Sequence, residues 1–206
     1  MCRMLQRRIS SPEIVIMASG NGSNFEAIVK ASREGILKAN VRNLIVDRDC
    51  YAEERARRLG IPCIKLGRKW AEELEQVLDE LRPLLVVLAG FMRIIPGRIV
   101  RKWRWKMVNI HPSLLPAFPG MHAIEKAYEH GVKVTGITVH FVDEGVDTGP
   151  IILQKAIEVD PRWTLDDLER KIHEIEHAWY PRIIQTILNG RWYVEGRRVV
   201  IEEHTG

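Results

Sequence analysis

The residues with the clearest chemical potential are Asn109 and His111, one residue apart in the segment Asn109–Pro116 (NIHPSLLP). Side chains in an extended strand alternate between faces, so both would project from one face while Ile110 points into the core. Pro112 removes a backbone donor and helps to end the strand. The segment therefore predicts an amide and an imidazole side by side at a strand exit, where both can donate hydrogen bonds to an oxygen that gains negative charge.

A second candidate is the loop 20–24 (GNGSN), which lies between an apolar run and a helical pattern. Glycines let the backbone approach a ligand closely, and a helix N-terminus presents unpaired N–H groups to an anion. The alternative is an ordinary turn in which Ser23 and Glu26 form a capping box. The loop is neither a dinucleotide nor a Walker A motif, which favours a single phosphate monoester as the ligand.

A third candidate is Asp147, in the glycine-flanked segment 143–150 (DEGVDTGP). A carboxylate paired with a histidine orients the imidazole and favours its charged form. The sequence does not show that Asp147 meets His111. A solvated side chain is the alternative, and the same segment offers two competing carboxylates, Asp143 and Glu144.

The segment 173–177 (HEIEH) matches the zinc motif H-E-x-x-H. On a helix, His173 and His177 would share a face, as zinc proteases require. Such a site needs a third ligand downstream, and nothing distinguishes the available residues, Glu195, Glu202 and His204. Pro181 is expected to disturb the helix just after the motif. We therefore predict an amphipathic helix and no metal.

Alternating strands and helices must position these segments. Apolar runs of strand length occupy residues 13–18, 41–46, 84–89 and 106–110. Helical patterns occupy residues 25–33, 51–59 and 71–81. Strands that alternate with helices predict right-handed crossovers and a mostly parallel sheet with helices on both faces.

The pattern changes after Pro116. A short helix is predicted over 122–130, strands over 134–142 and 151–157, and a long helix over 166–188 with Thr164 as N-cap. Residues 191–201 predict a hairpin that turns at Glu195-Gly196. No repeat or linker is visible, so residues 13–206 are expected to form one domain after a poorly ordered extension, residues 1–12.

Composition narrows the function classes. The chain has 206 residues, 31 Lys+Arg and 27 Asp+Glu, giving a net charge of +4. The small excess suits anionic small molecules, and Arg3, Arg7 and Arg8 are interpreted as a solvated tail, so no nucleic-acid partner is predicted. The three cysteines, Cys2, Cys50 and Cys63, form no CxxC pair. Their spacing, the lack of a signal-peptide pattern and the absence of a membrane-length apolar run predict a cytoplasmic protein without a membrane partner.

Four blocks in order resemble the phosphoribosylglycinamide formyltransferase family. They are residues 19–24 (SGNGSN), 88–95 (LAGFMRII), 109–116 and 143–154 (DEGVDTGPIILQ). The resemblance covers about residues 13–201. The segment 109–116 is shared by a wider formyltransferase superfamily, whereas the glycine-asparagine loop narrows the resemblance to this family. Residues 1–12 depart from it.

The resemblance implies a Rossmann-like α/β fold and transfer of a formyl group from 10-formyltetrahydrofolate to the amine of glycinamide ribonucleotide, in purine synthesis. It assigns Asn109, His111 and Asp147 to catalysis, with His140 nearby. It assigns a further set to the ribonucleotide: Gly22, Ser23 and Asn24 to its phosphate, and His173 and Glu176 to its amine side. No metal is implied, and the chain is expected to be a monomer or a homodimer.

The folate co-substrate has its own implied contacts. Met92, Arg93, Ile94 and Ile95 would line its pocket, largely through backbone and apolar contacts, together with Asn109, Asp143 and Glu144. The family also uses an arginine before the third helix, and Arg68 is the match within one residue.

In the mechanism that the resemblance implies, the amine attacks the formyl carbon directly. Asn109 and a protonated His111 stabilise the oxygen, and Asp147 keeps His111 charged. Four alternatives remain at this point: a formyltetrahydrofolate hydrolase, a methionyl-tRNA formyltransferase, a non-catalytic phosphate- or folate-binding module, and a zinc protease.

Overall fold

The computed structural model describes residues 11–202, and within this range the chain forms one nine-stranded sheet flanked by helices. The strands are β1 Glu13–Ala18, β2 Asn40–Val46, β3 Cys63–Lys65, β4 Leu85–Leu88, β5 Met107–His111, β6 Val134–Phe141, β7 Ile151–Glu158, β8 Trp192–Glu195 and β9 Arg198–Ile201. The helices are α1 Ser23–Arg33, α2 Tyr51–Leu59, α3 Trp70–Leu81, α4 Gly97–Lys102, α5 Ala123–Glu129 and α6 Leu165–Leu188. Of the predicted extension 1–12, all but Ser11 and Pro12 lies outside the described residues.

The sheet has a parallel half and a mixed half, in which β7 and β9 also pair in parallel. Its order is β3-β2-β1-β4-β5-β6-β7-β9-β8. The first five strands in this order pair in parallel, whereas β6 runs antiparallel to both β5 and β7. The strand order reverses beside β1, where the chain leaves for β2 on one side and returns to β4 on the other. In open α/β sheets, ligands bind outside the carboxyl ends of the strands at such a switch point.

Both faces of the parallel strands are buried, because their side chains alternate between two cores. Ile14 and Ile16 of β1 face a core formed with α1, α2 and α6, whereas Val15 and Met17 face a core formed with α3 and α4. The alternation explains why these strands are apolar throughout. No helix among residues 11–202 is long and apolar enough to cross a membrane.

The predicted sheet with helices on both faces, the long C-terminal helix and the hairpin are confirmed. Two elements had no sequence signal: β3 has only three residues on the sheet edge, and α4 has six, of which Ile99 and Val100 are buried. Pro181 does not end α6, which continues to Leu188 as the predicted range 166–188 requires. Pro181 lacks one N–H group, and the buried side chains of Ile183 and Ile184 hold the following turn against the core.

Tyr180 of α6 ties two strands together beneath the switch point. Its side chain is fully buried, and its hydroxyl donates to the Leu88 carbonyl at 2.8 Å and lies 3.2 Å from the Val108 carbonyl. Burial raises the pKa of the phenol well above its ordinary value. Since Leu88 and Val108 precede the strand exits of β4 and β5, Tyr180 fixes the spacing of the strands that carry the candidate site.

We expect Tyr180→Phe to lower the free energy of unfolding by about 1–3 kcal/mol, because the buried carbonyls lose their hydroxyl donor. Urea unfolding of both proteins measures the change. Tyr193→Phe is the matched control, since Tyr193 is 49% exposed on β8. Equal effects of the two substitutions would contradict the role given to the Tyr180 hydroxyl.

Candidate active site

A single cleft at the carboxyl ends of β1, β4 and β5 gathers nearly all of the candidate residues. Its volume is about 640 Å³. Five segments line it: the loop 20–24, residues 88–95, the strand exit 109–112, residues 120–125, and the strand and loop that carry His140 and Asp147. One face of α6 completes the wall with His173 and Glu176. The cleft therefore lies where the sheet topology predicts a ligand site.

Asn109, His111 and Asp147 meet at one point of this cleft. Asp147 Oδ2 lies 3.3 Å from His111 Nδ1, and Asn109 Nδ2 donates to Asp147 Oδ1 at 3.4 Å. Asn109 and His111 share a face of β5, as the period of two predicts. The contact between Asp147 and His111, which sequence alone left open, is present.

Asp147 is held as an anion. Burial by itself raises the pKa of this carboxyl, but hydrogen bonds from His140 and the Gly120 N–H, and the charges of His111 and His140, bring it below its ordinary value. The Gly120 N–H donates to Asp147 Oδ2 at 2.8 Å. The side chain is only 12% exposed, so water screens these contacts weakly.

His111 faces a hydrogen-bond acceptor at each ring nitrogen. Nδ1 faces the Asp147 carboxylate, and Nε2 lies 2.8 Å from the Phe118 carbonyl oxygen. Only the doubly protonated imidazolium can donate at both positions, so the geometry accommodates that form of the ring. The side chain is 6% exposed. The ring therefore lies at the cleft in an environment that water screens poorly.

His140 supports Asn109 from the adjacent strand β6. Its Nδ1 donates to the Phe141 carbonyl at 2.8 Å, since a carbonyl oxygen can only accept. Its Nε2 lies 3.2 Å from Asn109 Nδ2 and 3.6 Å from Asp147 Oδ1. The register places Asn109 opposite His140, so the predicted neighbourhood of His140 is explained by strand pairing.

The loop 20–24 leads directly into the N-terminus of α1. Gly22 is the N-cap, with φ 76°, and an added Cβ would lie 2.7 Å from Ala52 Cβ. Two features therefore require glycine at position 22: its left-handed backbone conformation and the close approach of α2. Gly22, Ser23 and Asn24 at this helix N-terminus line the cleft, where an anion site would need them.

The alternative of a capping box between Ser23 and Glu26 is excluded by the structure. Ser23 is already the first helical residue, and no side chain caps the N-terminus of α1. Glu26 instead pairs with Arg55 and Arg58 of α2. Arg55 also donates to the backbone oxygen and side-chain oxygen of Asn21, each at 2.8 Å. The helix N-terminus thus remains available while α2 fixes the loop.

The H-E-x-x-H segment uses its second glutamate to join α6 to the loop 20–24. Asn24 Nδ2 donates to Glu176 Oε2 at 2.9 Å, and His173 Nδ1 lies 2.9 Å from the same oxygen. Glu176 is 4% exposed, so these contacts supply hydrogen-bond partners to a side chain buried away from water. Among residues 11–202 no three His, Cys, Asp or Glu side chains are grouped to hold a metal ion. His204 lies outside that range.

His173 titrates differently from a free histidine. Its hydrogen bond to Glu176 raises its pKa above the ordinary 6.5, although burial opposes the shift. A raised pKa contributes stability that is fully present below the ordinary pKa and is lost as pH rises through the raised value. The bond to Glu176 is therefore expected to weaken above pH 6.5.

We expect the stability difference between the natural protein and His173→Gln to shrink as the pH rises from below 6.5 through the raised pKa. Glutamine keeps a neutral donor and a good helix propensity but cannot become charged. Melting temperatures of both proteins across this pH range measure the difference. A difference that does not change with pH would contradict the charged His173–Glu176 pair.

The remaining predicted contacts divide into two groups. Met92, Arg93, Ile94, Ile95 and Asp143 line the cleft. Arg68 and Glu144 do not: Arg68 lies exposed on the turn before α3, and Glu144 pairs with Arg101 of α4 at 2.8 Å.

Sequence reasoning missed two groups that complete the site, the Gly120 N–H and the Phe118 carbonyl. Both belong to the backbone of the turn after Pro116, and both bond to a candidate catalytic side chain. Phe118 adopts φ 51° and Gly120 φ 76°. Backbone groups exist at every position, so only the fold of this turn could identify them.

Comparison with known proteins places these features in a family. The formyl transferase family profile matches residues 12–184. Phosphoribosylglycinamide formyltransferase of Bacillus subtilis is 47% identical over 184 residues, which cover 85% of this chain and 94% of the relative. The enzyme of that name from Escherichia coli is 38% identical, covering 89% and 88% of the two chains.

Solved structures agree with the sequence relatives. The crystal structure of glycinamide ribonucleotide transformylase 1 from Symbiobacterium toebii has a TM-score of 0.89 and 44% identity. The match covers 94% of this chain and 95% of that one. The chain therefore belongs to the formyl transferase family, in its phosphoribosylglycinamide formyltransferase branch.

Proposed function

We propose that the chain transfers the formyl group of 10-formyltetrahydrofolate to the amine of glycinamide ribonucleotide, in de novo purine biosynthesis. The observation that carries this function is the meeting of Asn109, His111 and Asp147 in the cleft that also contains the N-terminus of α1. One part of the cleft suits a developing oxyanion and the other suits a phosphate. Family membership supplies the formyl group as the transferred unit.

The ribonucleotide binds, in this proposal, along the loop 20–24 and α6. The backbone N–H groups of Gly22, Ser23 and Asn24 hold the phosphate, assisted by the positive end of the α1 dipole. His173 and Glu176 bind the remainder of the ribonucleotide on its amine side. The bond between Asn24 and Glu176 supports this arrangement, because it keeps the two subsites at a fixed separation.

The formyl folate occupies the wall formed by Met92, Arg93, Ile94 and Ile95, beside Asp143. Met92 and Ile94 are 51% and 68% exposed, so the wall offers free apolar surface to a flat ring system. Asn109 reaches the formyl group from the strand exit. Arg68 and Glu144 lie outside the lining, and neither is needed for this arrangement.

The reaction begins with attack of the neutral amine on the formyl carbon. A C–N bond forms, negative charge collects on the formyl oxygen, and the bond from the carbon to N10 of the folate then breaks. The amine loses one proton and N10 gains one. Asn109 donates to the oxygen, the charge of His111 stabilises it, and Asp147 holds His111 in its charged form. Because the His111 Nε2–H bonds to the Phe118 carbonyl, a direct hydrogen bond from it requires the formyl oxygen to replace that carbonyl.

One assay tests the function: tetrahydrofolate and formate release from 10-formyltetrahydrofolate, with and without glycinamide ribonucleotide. We expect tetrahydrofolate to form only with the ribonucleotide, which becomes formylated. Formate release without the ribonucleotide would identify a hydrolase. Folate binding without turnover in either condition would identify a binding module.

A further inference from the structure

The wall segment Gly90–Ile95 is held from behind the cleft by a buried carboxylate, Asp47, at the end of β2. The Asp47 side chain has no exposed surface. Arg93 Nε donates to its Oδ2 at 2.7 Å, and Arg48 Nη2 donates to the same oxygen at 2.8 Å. Burial raises the pKa of Asp47, but hydrogen bonds from Arg48, Ser19 and Arg93 lower it to about 2, so the carboxylate stays charged in any ordinary assay.

Ser19 connects Asp47 to the backbone of the wall segment. Its hydroxyl contributes to the lowered pKa of Asp47 and accepts from the Met92 N–H at 2.9 Å. The Ser19 N–H donates to the Gly90 carbonyl at 3.0 Å. Ser19, which acts on Asp47, therefore holds two backbone groups of the segment.

Arg93 provides the second connection. Its guanidinium lies between the Asp47 carboxylate and the Trp70 ring, 5.2 Å from the ring centroid. Trp70 in turn contacts Phe91, with ring centroids 6.4 Å apart. A planar cation with a carboxylate at its edge and an aromatic ring on its face has little rotational freedom. The segment is thus fixed through a side chain as well as through its backbone.

Asp47 and Ser19 are absent from the lining of the cleft, although Met92, Arg93, Ile94 and Ile95 all belong to it. Asp47 therefore acts on a ligand through other residues, and its bond to Arg93 leads directly to the segment. We propose that Asp47 is a positioning residue for formyl folate, which sets the backbone and side-chain geometry of Gly90–Ile95 through Ser19 and Arg93. This inference rests on the proposed function, since it assigns the wall to the folate.

The test is Asp47→Asn, which keeps the shape of the side chain and removes its charge. We expect the KM for 10-formyltetrahydrofolate to rise about tenfold, because charge-assisted hydrogen bonds that order the segment are weakened. The KM for glycinamide ribonucleotide should not change. Asp160→Asn is the matched control: Asp160 pairs with Arg162, has a pKa lowered to about 2, and lies outside the cleft lining.

A double-mutant cycle with Arg93→Gln adds a second readout. If Asp47 acts through Arg93, the double variant will show a smaller rise in the folate KM than the product of the single effects. Ser19→Ala removes the hydroxyl that bonds to the Met92 N–H. If Asp47→Asn does not fold, the KM of Ser19→Ala for 10-formyltetrahydrofolate is measured instead, with the same expected rise. Two outcomes would overturn the positioning role. One is an equal change in the KM values of both substrates, and the other is a lower amount of active enzyme in which neither KM has changed.

The failure of this inference can be told apart from the failure of the proposed function. If the natural protein formylates no ribonucleotide, the function is wrong, and tetrahydrofolate binding to the natural protein and Asp47→Asn then tests the inference. Equal binding by the two proteins would overturn it, and weaker binding by the variant would support it.

Discussion

Asp147→Asn is expected to lower kcat by about a thousandfold while the protein stays folded. Asp147 Oδ2 accepts from the Gly120 N–H and faces His111 Nδ1, and Oδ1 faces Asn109 and His140. An asparagine has nearly the same shape, but its NH2 group replaces one of the two carboxylate oxygens. That NH2 group would then face another donor, either Asn109 Nδ2 or the Gly120 N–H. The negative charge that favours the His111 cation is also lost, so the transition-state oxygen loses its positive neighbour.

Formyl transfer kinetics and melting temperatures of the natural protein and the variant measure this effect. Asp79→Asn is the matched control, since Asp79 is 46% exposed, pairs with Lys102 at 2.6 Å and lies outside the cleft lining. In a His111→Ala background, Asp147→Asn should have little further effect, because groups that act as one unit are not additive. Near-normal turnover of Asp147→Asn would refute its catalytic assignment.

Asn109→Ala should lower kcat by about a hundredfold to a thousandfold, the usual cost of removing one donor to a developing oxyanion. Asn109 Nδ2 contacts His140 Nε2 at 3.2 Å and Asp147 Oδ1 at 3.4 Å, so the amide has a fixed position before any ligand arrives. We expect the N–H on the longer contact, to Asp147, to turn to the formyl oxygen, which needs little reorganisation. The loss should therefore appear in kcat, with the ribonucleotide KM little changed.

Asn189→Ala is the matched control, because Asn189 is exposed at the end of α6. Steady-state kinetics with both substrates separate the two parameters. An effect confined to the folate KM would reassign Asn109 to ground-state binding. Unchanged kinetics would remove it from the site.

The local chemistry of the site could be predicted from sequence because it depends on short-range periodicity. The period of two along β5 places Asn109 and His111 on one face wherever that strand lies in the sheet. The strand-loop-helix order around Gly22 likewise presents N–H groups at a helix N-terminus. The long strands and helices were predictable for the same reason, whereas β3 and α4 are too short to show a period.

The capping of α1 shows the limit of local patterns. Ser23 and Glu26 have the spacing of a capping box, but α2 packs against the loop and supplies arginine partners for Glu26. The contact depends on residues about 30 positions away in the chain, which no local pattern records. Tertiary packing therefore decided the use of Glu26.

The amino-acid sequence by itself determined the residue types, the strand that presents Asn109 and His111, and the helix that begins after Gly22. Only the tertiary structure decided that Asp147 meets His111, that Glu176 bonds to Asn24, and that Asp47 lies behind the wall of the cleft. The physical reason is that each of these contacts joins side chains on separate elements. Their distances follow from sheet order and helix packing, and the backbone groups of Phe118 and Gly120 gain their roles only when the turn that carries them is folded.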